Sequence, residues 1–178
     1  MLWAAVAGRV LGLLVLALLG WQILDRELDF NATTGPLRFI HGIDLVIHEA
    51  GHAFAIFLPR FLYVLGGSVL QVLMPAVCAW TFLKQRQPGS FAVALFWTGE
   101  SVTDVAIYMA DAKKRALPLL GGDPTGHDWH YLLGQLGLLN WGQALGRLTF
   151  GLGIVIITIA LGILANETYR AWQRASRA

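Results

Sequence analysis

The sequence predicts an all-α integral membrane protein with about five transmembrane helices and one short interfacial or re-entrant helix. Of its 178 residues, 56% are hydrophobic and only 13% are charged. The mean hydropathy of +0.59 lies well above the balance of a water-soluble domain. Several apolar runs approach the length of about 20 residues that a helix needs to cross a hydrocarbon core. Without repeats or alternating strand patterns, the chain is expected to form a single membrane domain, 1–178.

The first section, residues 1–36, combines an apolar run with an acidic loop. The run covers residues 3–24 and is interrupted only by Arg9. No small-residue cleavage site follows it, so we interpret it as a retained span and not as a signal peptide. Pro36 suits the first turn of the next helix, where its missing N–H costs nothing, and that apolar stretch continues to about Leu58.

Two further apolar runs complete a three-helix core, which we place at residues 37–113. The third run, 68–83, follows Gly66-Gly67, and the fourth run covers 91–110. Charged and turn-forming residues end both runs. The core therefore consists of three consecutive spans joined by short polar loops.

The rest of the chain divides into two sections. Residues 114–139 form a Gly/Pro-rich loop and a short helix, and residues 140–178 form the last span with a basic tail. The loop composition predicts irregular backbone, which a membrane tolerates only where protein or a wet cavity satisfies it. Asn140 is expected to cap the last helix. Basic clusters follow the third and fourth runs and also end the chain, so charge leaves the orientation open.

Charge and cysteine content limit the possible partners. The net charge is +2 with a pI of about 8.9, and the basic residues are dispersed in short clusters. Nucleic acid is therefore not expected as a partner, whereas the lipid bilayer is. The single cysteine, Cys78, lies in an apolar stretch, which excludes a disulfide framework and a cysteine metal site.

The pattern His48-Glu49-Ala50-Gly51-His52 is the strongest indication of chemistry. Residues four apart share one helical face, so His48 and His52 can bind one metal ion. Glu49 is placed to take a proton from a water on that metal, the arrangement of a metalloprotease. Zinc is the expected cofactor because it prefers tetrahedral sites of nitrogen and oxygen ligands. Ionisable groups within a span are costly, which favours a functional role over a purely structural one.

Two polar residues precede this pattern on the same face. His41 and Asp44 extend the stripe of His48 and His52 at helical spacing. Asp44 lies one turn before His48 and is a candidate to hold the second ring N–H of that histidine. The alternative is that His41 and Asp44 only mark the polar entrance of the helix.

A catalytic zinc site requires a third protein ligand. The fourth run carries a second polar stripe, which consists of Glu100, Asp104, Tyr108 and Asp111. Asp104 lies nearest the middle of the run, where an unpaired carboxylate is most expensive, and is the predicted third ligand. Glu100 is a candidate for an outer partner or a water path, and Asp111 is an alternative ligand at the helix end.

The loop before the short helix offers further alternatives. His127, Asp128 and His130 occur within four residues of a glycine-rich segment and could fold over the site as ligands or proton donors. The other interpretation is an interfacial cap, with Asp128 at a helix N-terminus. The sequence leaves both open.

These features together resemble the site-2-protease family of intramembrane zinc metalloproteases, as a divergent minimal core. The resemblance rests on the His48–His52 pattern in an apolar helix, on Gly66-Gly67, on a third span with Gln71 and Pro75, and on an aspartate in the next span. The family's usual Leu-Asp-Gly setting of that aspartate is replaced here.

The resemblance implies specific roles. Zinc would be bound by His48, His52 and Asp104, with Glu49 as general base. The substrate would be a membrane protein, cut in or near its transmembrane segment. The chain would be a multi-pass protein, as in a bacterial inner membrane.

Two other classes of function compete with proteolysis. One is a non-proteolytic metal-binding membrane protein that acts as a pseudoprotease or as a structural or regulatory partner. The other is a different metal or cofactor protein. The chain has five histidines, too few for a di-iron desaturase, and a bis-histidine haem would need axial ligands on facing helices.

Overall fold

The computed structural model describes residues 2–118 and 126–178, and within these ranges all regular structure is helical. Residues 119–125, most of the predicted irregular loop, lie outside the described residues. Two short 3-10 turns, Phe30–Ala32 and Leu139–Trp141, lie between helices. The α-helices are α1 Leu2–Arg26, α2 Gly35–Phe54, α3 Arg60–Lys84, α4 Pro88–Asp111, α5 Asp128–Gln135 and α6 Gly142–Ser176.

Among the described residues, three helices are long and apolar enough to cross a membrane: α1, α3 and α6. This confirms the all-α class and agrees with a membrane protein. It does not confirm a count of about five spans. The helices α2 and α4 are of similar length, but each carries three residues of the Asp, Glu, Lys and Arg types.

Helix α2 exposes several large apolar side chains and buries polar ones. Phe39, Val46 and Phe54 are more than 70% exposed, whereas Asp44 is fully buried and His48 is 5% exposed. Burial of the polar face against protein and exposure of the apolar face is the arrangement expected where lipid covers the helix.

Helix α4 occupies the middle of the bundle. It packs mainly against α6 and α3, and almost all of its side chains between Thr98 and Ala110 are buried. Small residues allow the close approach to α6, since a Cβ on Gly99 would lie 2.9 Å from the Gly153 carbonyl oxygen. A helix enclosed by protein needs no apolar outer surface, which explains why α4 can carry several carboxylates.

The start of α3 differs from the prediction. The third run was expected from residue 68, directly after Gly66-Gly67, but α3 begins at Arg60 and includes both glycines. Their role is close packing, because a Cβ on Gly51 would collide with the Gly66 carbonyl oxygen. The glycines thus permit contact between α2 and α3 and do not end a helix.

The ends of α2 and α6 agree with the prediction only in part. Pro36 lies in the first turn of α2 as expected, but α2 ends at Phe54 and not near Leu58. Asn140 does not cap the last helix, because the N-cap is Trp141 and the Asn140 side chain accepts a hydrogen bond from Lys113.

Candidate metal centre

Three potential ligand atoms converge between α2 and the start of α5. The Nε2 atoms of His48 and His52 lie 2.9 and 3.1 Å from one oxygen, Oδ2 of Asp128. Each of the three residues offers one ligand atom, and these atoms all lie within 4.8 Å of one another. We call these residues the His-His-Asp cluster. Its two histidines were predicted from sequence, and Asp128 was one of the alternative third ligands.

The opposite ring nitrogens of the two histidines face acceptors. His52 Nδ1 lies 3.0 Å from the main-chain carbonyl oxygen of Tyr63, and His48 Nδ1 lies 3.0 Å from the Gln71 side-chain oxygen. A carbonyl oxygen accepts but cannot donate, so each Nδ1 carries the proton. In the neutral ring, Nε2 then presents its lone pair, which is the form that binds a metal.

Asp128 is the first residue of α5, and its main-chain N–H donates to the Tyr108 hydroxyl at 3.0 Å. The preceding His127 caps the helix by accepting from the His130 N–H. Burial alone would raise the pKa of the Asp128 carboxyl, but in the metal-free protein the hydrogen bonds that His48 and His52 donate when their rings are protonated outweigh it and hold the pKa below its ordinary value. The carboxylate is therefore ionised near neutral pH.

Of the three remaining alternative ligands, His127 and Asp111 pair with each other beside the cluster, and His130 Nδ1 lies 2.9 Å from the Ala112 main-chain carbonyl oxygen. His127 Nε2 lies 3.2 Å from Asp111 Oδ2. Burial lowers the pKa of His127, and the Asp111 carboxylate offsets this only in part. Asp111 also accepts main-chain N–H bonds from Ala116 and Leu117, so its oxygens support the connection to α5. None of the three contributes to the His-His-Asp cluster.

Asp104, the preferred third ligand, does not lie in the cluster. Its Oδ1 lies 2.9 Å from His41 Nδ1, and its Oδ2 accepts from Gln71 Nε2 at 3.0 Å. Within α4 this carboxylate is paired with these hydrogen-bond donors. The carboxylate that lies beside His48 and His52 is that of Asp128, from α5.

Asp44 likewise does not hold His48. Its carboxylate accepts from Trp97 Nε1 at 2.8 Å and from Ser101 Oγ at 3.0 Å, both on α4. The partner of His48 is Gln71, a residue that sequence reasoning noted only within the family resemblance. The available signal was a single amide side chain on an apolar helix, four residues after Gly67.

Glu100 belongs to a second group of ionisable residues deeper in the bundle. It is fully buried, and one of its oxygens lies 3.8 Å from a guanidinium nitrogen of Arg26. Arg26 is itself buried and donates to the hydroxyls of Thr33 and Thr103. We call Arg26, Asp44, Glu100 and Asp104 the buried polar network. Glu100 thus lies with the arginine, away from the His-His-Asp cluster.

A cavity of about 350 Å³ opens onto the cluster. Glu49 is exposed and lines this cavity together with all three cluster residues. On the α3 side the wall has no side chain at Gly67, where a Cβ would lie 2.6 Å from His48 Nε2 and 2.7 Å from His52 Nε2. The glycine therefore keeps open the space in front of both ring nitrogens.

The donor set fits zinc. Two imidazole nitrogens and one carboxylate oxygen are the ligand types of catalytic zinc sites with three protein ligands. Ligand atoms of a tetrahedral zinc ion, each at about 2.0–2.2 Å, lie about 3.3–3.6 Å apart. The observed separations from Asp128 Oδ2 to the two ring nitrogens, 2.9 and 3.1 Å, are a few tenths of an ångström shorter, so a small outward shift of the side chains would admit the ion.

Comparison of the chain with protein-family models, with curated proteins and with solved structures finds no match.

Proposed function

We propose that this protein is an intramembrane zinc metalloprotease that hydrolyses peptide bonds of membrane-protein substrates. The observation that carries the proposal is the convergence of His48, His52 and Asp128 on a cavity that Glu49 also lines. Asp128 takes the ligand role first assigned to Asp104. The bundle around the site has three membrane-capable helices, which supports a substrate that also resides in the bilayer. We further propose that α2 and α4 span the membrane, in an inner membrane of bacterial type.

The residues of the cavity have distinct roles in this reaction. Zinc held by the cluster would lower the pKa of a water molecule toward neutrality and polarise the substrate carbonyl. Glu49 accepts one proton from the attacking water, whose oxygen forms the new bond to the carbonyl carbon. When the C–N bond breaks, Glu49 passes that proton to the leaving nitrogen. One water is consumed, and a carboxylic acid and an amine are released.

The alternative is a non-proteolytic metal-binding membrane protein. It requires the same cluster but gives Glu49 no task. The accessible position of Glu49 beside the cluster favours the protease, because a carboxylate that serves only structure would be expected to pair with a donor or lie outside the cavity.

The test combines metal content with cleavage. Protein purified in mild detergent is analysed for metal, reconstituted into vesicles with a set of labelled transmembrane segments, and the products are identified by mass spectrometry. Glu49→Gln keeps the shape of the side chain but cannot take the proton. Glu167→Gln, the same exchange on α6, is the matched control.

We expect about one zinc per chain in all three proteins, cleavage by the wild type and the control, and no cleavage by Glu49→Gln. Cleavage by Glu49→Gln at the wild-type rate would overturn the mechanism. Zinc binding by the wild type without cleavage of any segment in the set would favour the non-proteolytic alternative, and absence of zinc from native protein would remove both.

A further inference from the structure

The Gln71 side chain connects the His-His-Asp cluster to the buried polar network. It lies on α3 and is 3% exposed. Its Nε2 donates to Asp104 Oδ2 at 3.0 Å, and its Oε1 lies 3.0 Å from His48 Nδ1. One amide thus links a carboxylate on α4 to a histidine on α2.

Only one orientation of this amide satisfies both neighbours. An ionised carboxylate accepts hydrogen bonds but cannot donate, so the NH₂ group of Gln71 must face Asp104. The amide oxygen then faces His48 and forms a bond only if Nδ1 carries the proton. A neutral imidazole has a single N–H, so the lone pair of His48 lies on Nε2, which faces Asp128.

We propose that Asp104 and Gln71 are positioning residues that fix the ring orientation and tautomer of His48 for zinc binding. His41 completes the chain, since its Nδ1–H donates to Asp104 at 2.9 Å. This inference rests on the proposed zinc site and concerns the affinity for the metal, not the hydrolysis step. It also gives Asp104 a role at the site, two hydrogen bonds away from His48.

The two histidines differ in how their tautomers are set. His52 Nδ1 donates to a main-chain carbonyl, that of Tyr63, which no side-chain substitution removes. His48 depends on side chains alone. Substitutions at positions 71 and 104 should therefore affect the hydrogen bond of His48 Nδ1 and leave that of His52 Nδ1 unchanged.

The experiment measures zinc affinity by competition with a chelator in the detergent-solubilised protein, together with the thermal unfolding midpoint of zinc-free protein. The variants are Gln71→Met, Gln71→Glu, Asp104→Asn and the double variant Gln71→Glu/Asp104→Asn. Gln85→Met, the same exchange at an exposed position just beyond the end of α3, is the matched control.

We expect Gln71→Met to lower zinc affinity by about 10–100-fold, the usual effect of losing an outer partner of a metal ligand. Gln71→Glu places two carboxylates against each other and should lower it by a similar factor. The double variant should return to within about threefold of the wild type. There the amide at position 104 donates to the carboxylate at position 71, which still accepts from His48 Nδ1–H.

Wild-type affinity in Gln71→Met, or a double variant no better than Gln71→Glu, would overturn the inference while leaving the zinc site in place. If Gln71→Met does not fold, the comparison of the double variant with Gln71→Glu decides. A wild-type protein that binds no zinc would instead remove the proposed function, and this inference with it. Failure of this inference and failure of the proposed function can therefore be distinguished, because only the second abolishes zinc binding by the wild-type protein.

Discussion

The His-His-Asp cluster and the buried polar network use the same residue types within one helical bundle, but they differ in the balance of donors and acceptors. In the network, donors are present for two of the three carboxylates: Trp97 and Ser101 for Asp44, and His41 and Gln71 for Asp104. In the cluster, two ring nitrogens and a carboxylate oxygen face one another, and the ring protons point away. The donors of the network thus pair with Asp44 and Asp104 but, among the described residues, leave both Glu100 oxygens without a hydrogen bond, whereas the donor set of the cluster fits a cation.

This difference shows why burial of a carboxylate does not by itself identify it as a candidate metal ligand. Asp104 and Asp128 are both carboxylates in contact with histidine. The two carboxylates differ in their neighbours. Asp104 also accepts a hydrogen bond from the Gln71 amide, whereas Asp128 faces the Nε2 atoms of two histidines. A carboxylate with two donors of its own has the surroundings of a structural or positioning group, whereas one that faces imidazole nitrogens can offer its oxygen to a cation.

The largest expected effect distinguishes the third ligand from the positioning residue. Asp128→Ala removes a ligand atom and should lower zinc affinity by well over the ~100-fold that is typical for an outer partner. Asp104→Ala should stay within that ~100-fold range, because the three ligand atoms remain. Chelator competition measures both. The assignment of the third ligand would be wrong if Asp104→Ala lost more affinity than Asp128→Ala.

The second prediction concerns stability in the network. Arg26→Met leaves the fully buried Glu100 without its cation and should lower the free energy of unfolding by about 3–5 kcal/mol. Because the arginine does not touch the cluster, the zinc affinity of the folded protein should not change. Unfolding in mixed micelles measures the first quantity and chelator competition measures the second.

The control for this prediction removes both charges. Arg26→Met/Glu100→Gln should recover most of the lost stability, since neither member of the pair is left without its partner. A loss of zinc affinity in folded Arg26→Met protein would contradict the prediction and show that the arginine also acts on the cluster.

The third prediction tests the space in front of the cluster. Gly67→Ala places a Cβ 2.6–2.7 Å from both ring nitrogens and should lower zinc affinity by about tenfold or more, since the metal and the methyl group compete for the same volume. At Gly42 on α2, a Cβ meets no atom within 4 Å. Gly42→Ala is therefore the matched control and should leave the affinity unchanged. Equal effects of the two substitutions would indicate a general response to helix substitution.

The sequence was sufficient for the parts of the site that depend on local spacing. His48 and His52 share a face because helical geometry requires it, and Pro36 lies in a first turn because its ring suits that position. The position of Asp128 beside these histidines could not be derived in this way. It depends on the contact between the start of α5 and α2, which the periodicity of neither segment predicts.

The same limit explains why the partner of Asp44 and the start of α3 differ from the prediction. Asp44 lies on the predicted stripe, but the donors that reach it are on α4, so the neighbouring helix decides its partner. Two adjacent glycines favour a break in an isolated sequence, whereas here the approach of α2 makes them necessary inside α3. Both errors arise from contacts between helices that are distant in sequence.

The smallest expected effect concerns the link that holds Asp128 in the cluster. The Tyr108 hydroxyl accepts the main-chain N–H of Asp128 at 3.0 Å, and its ring packs against His48 and His127. Tyr108→Phe keeps the ring but removes the acceptor, a loss of about 1 kcal/mol for a single hydrogen bond. If that bond positions Asp128, zinc affinity should fall about fivefold, the equivalent of this free energy.

Tyr63→Phe is the matched control, because Tyr63 lines the same cavity but holds His52 through its main-chain carbonyl. A decrease of equal size in both variants, or none in Tyr108→Phe, would mean that α5 positions Asp128 without the tyrosine, and that the third ligand is set by the helix alone.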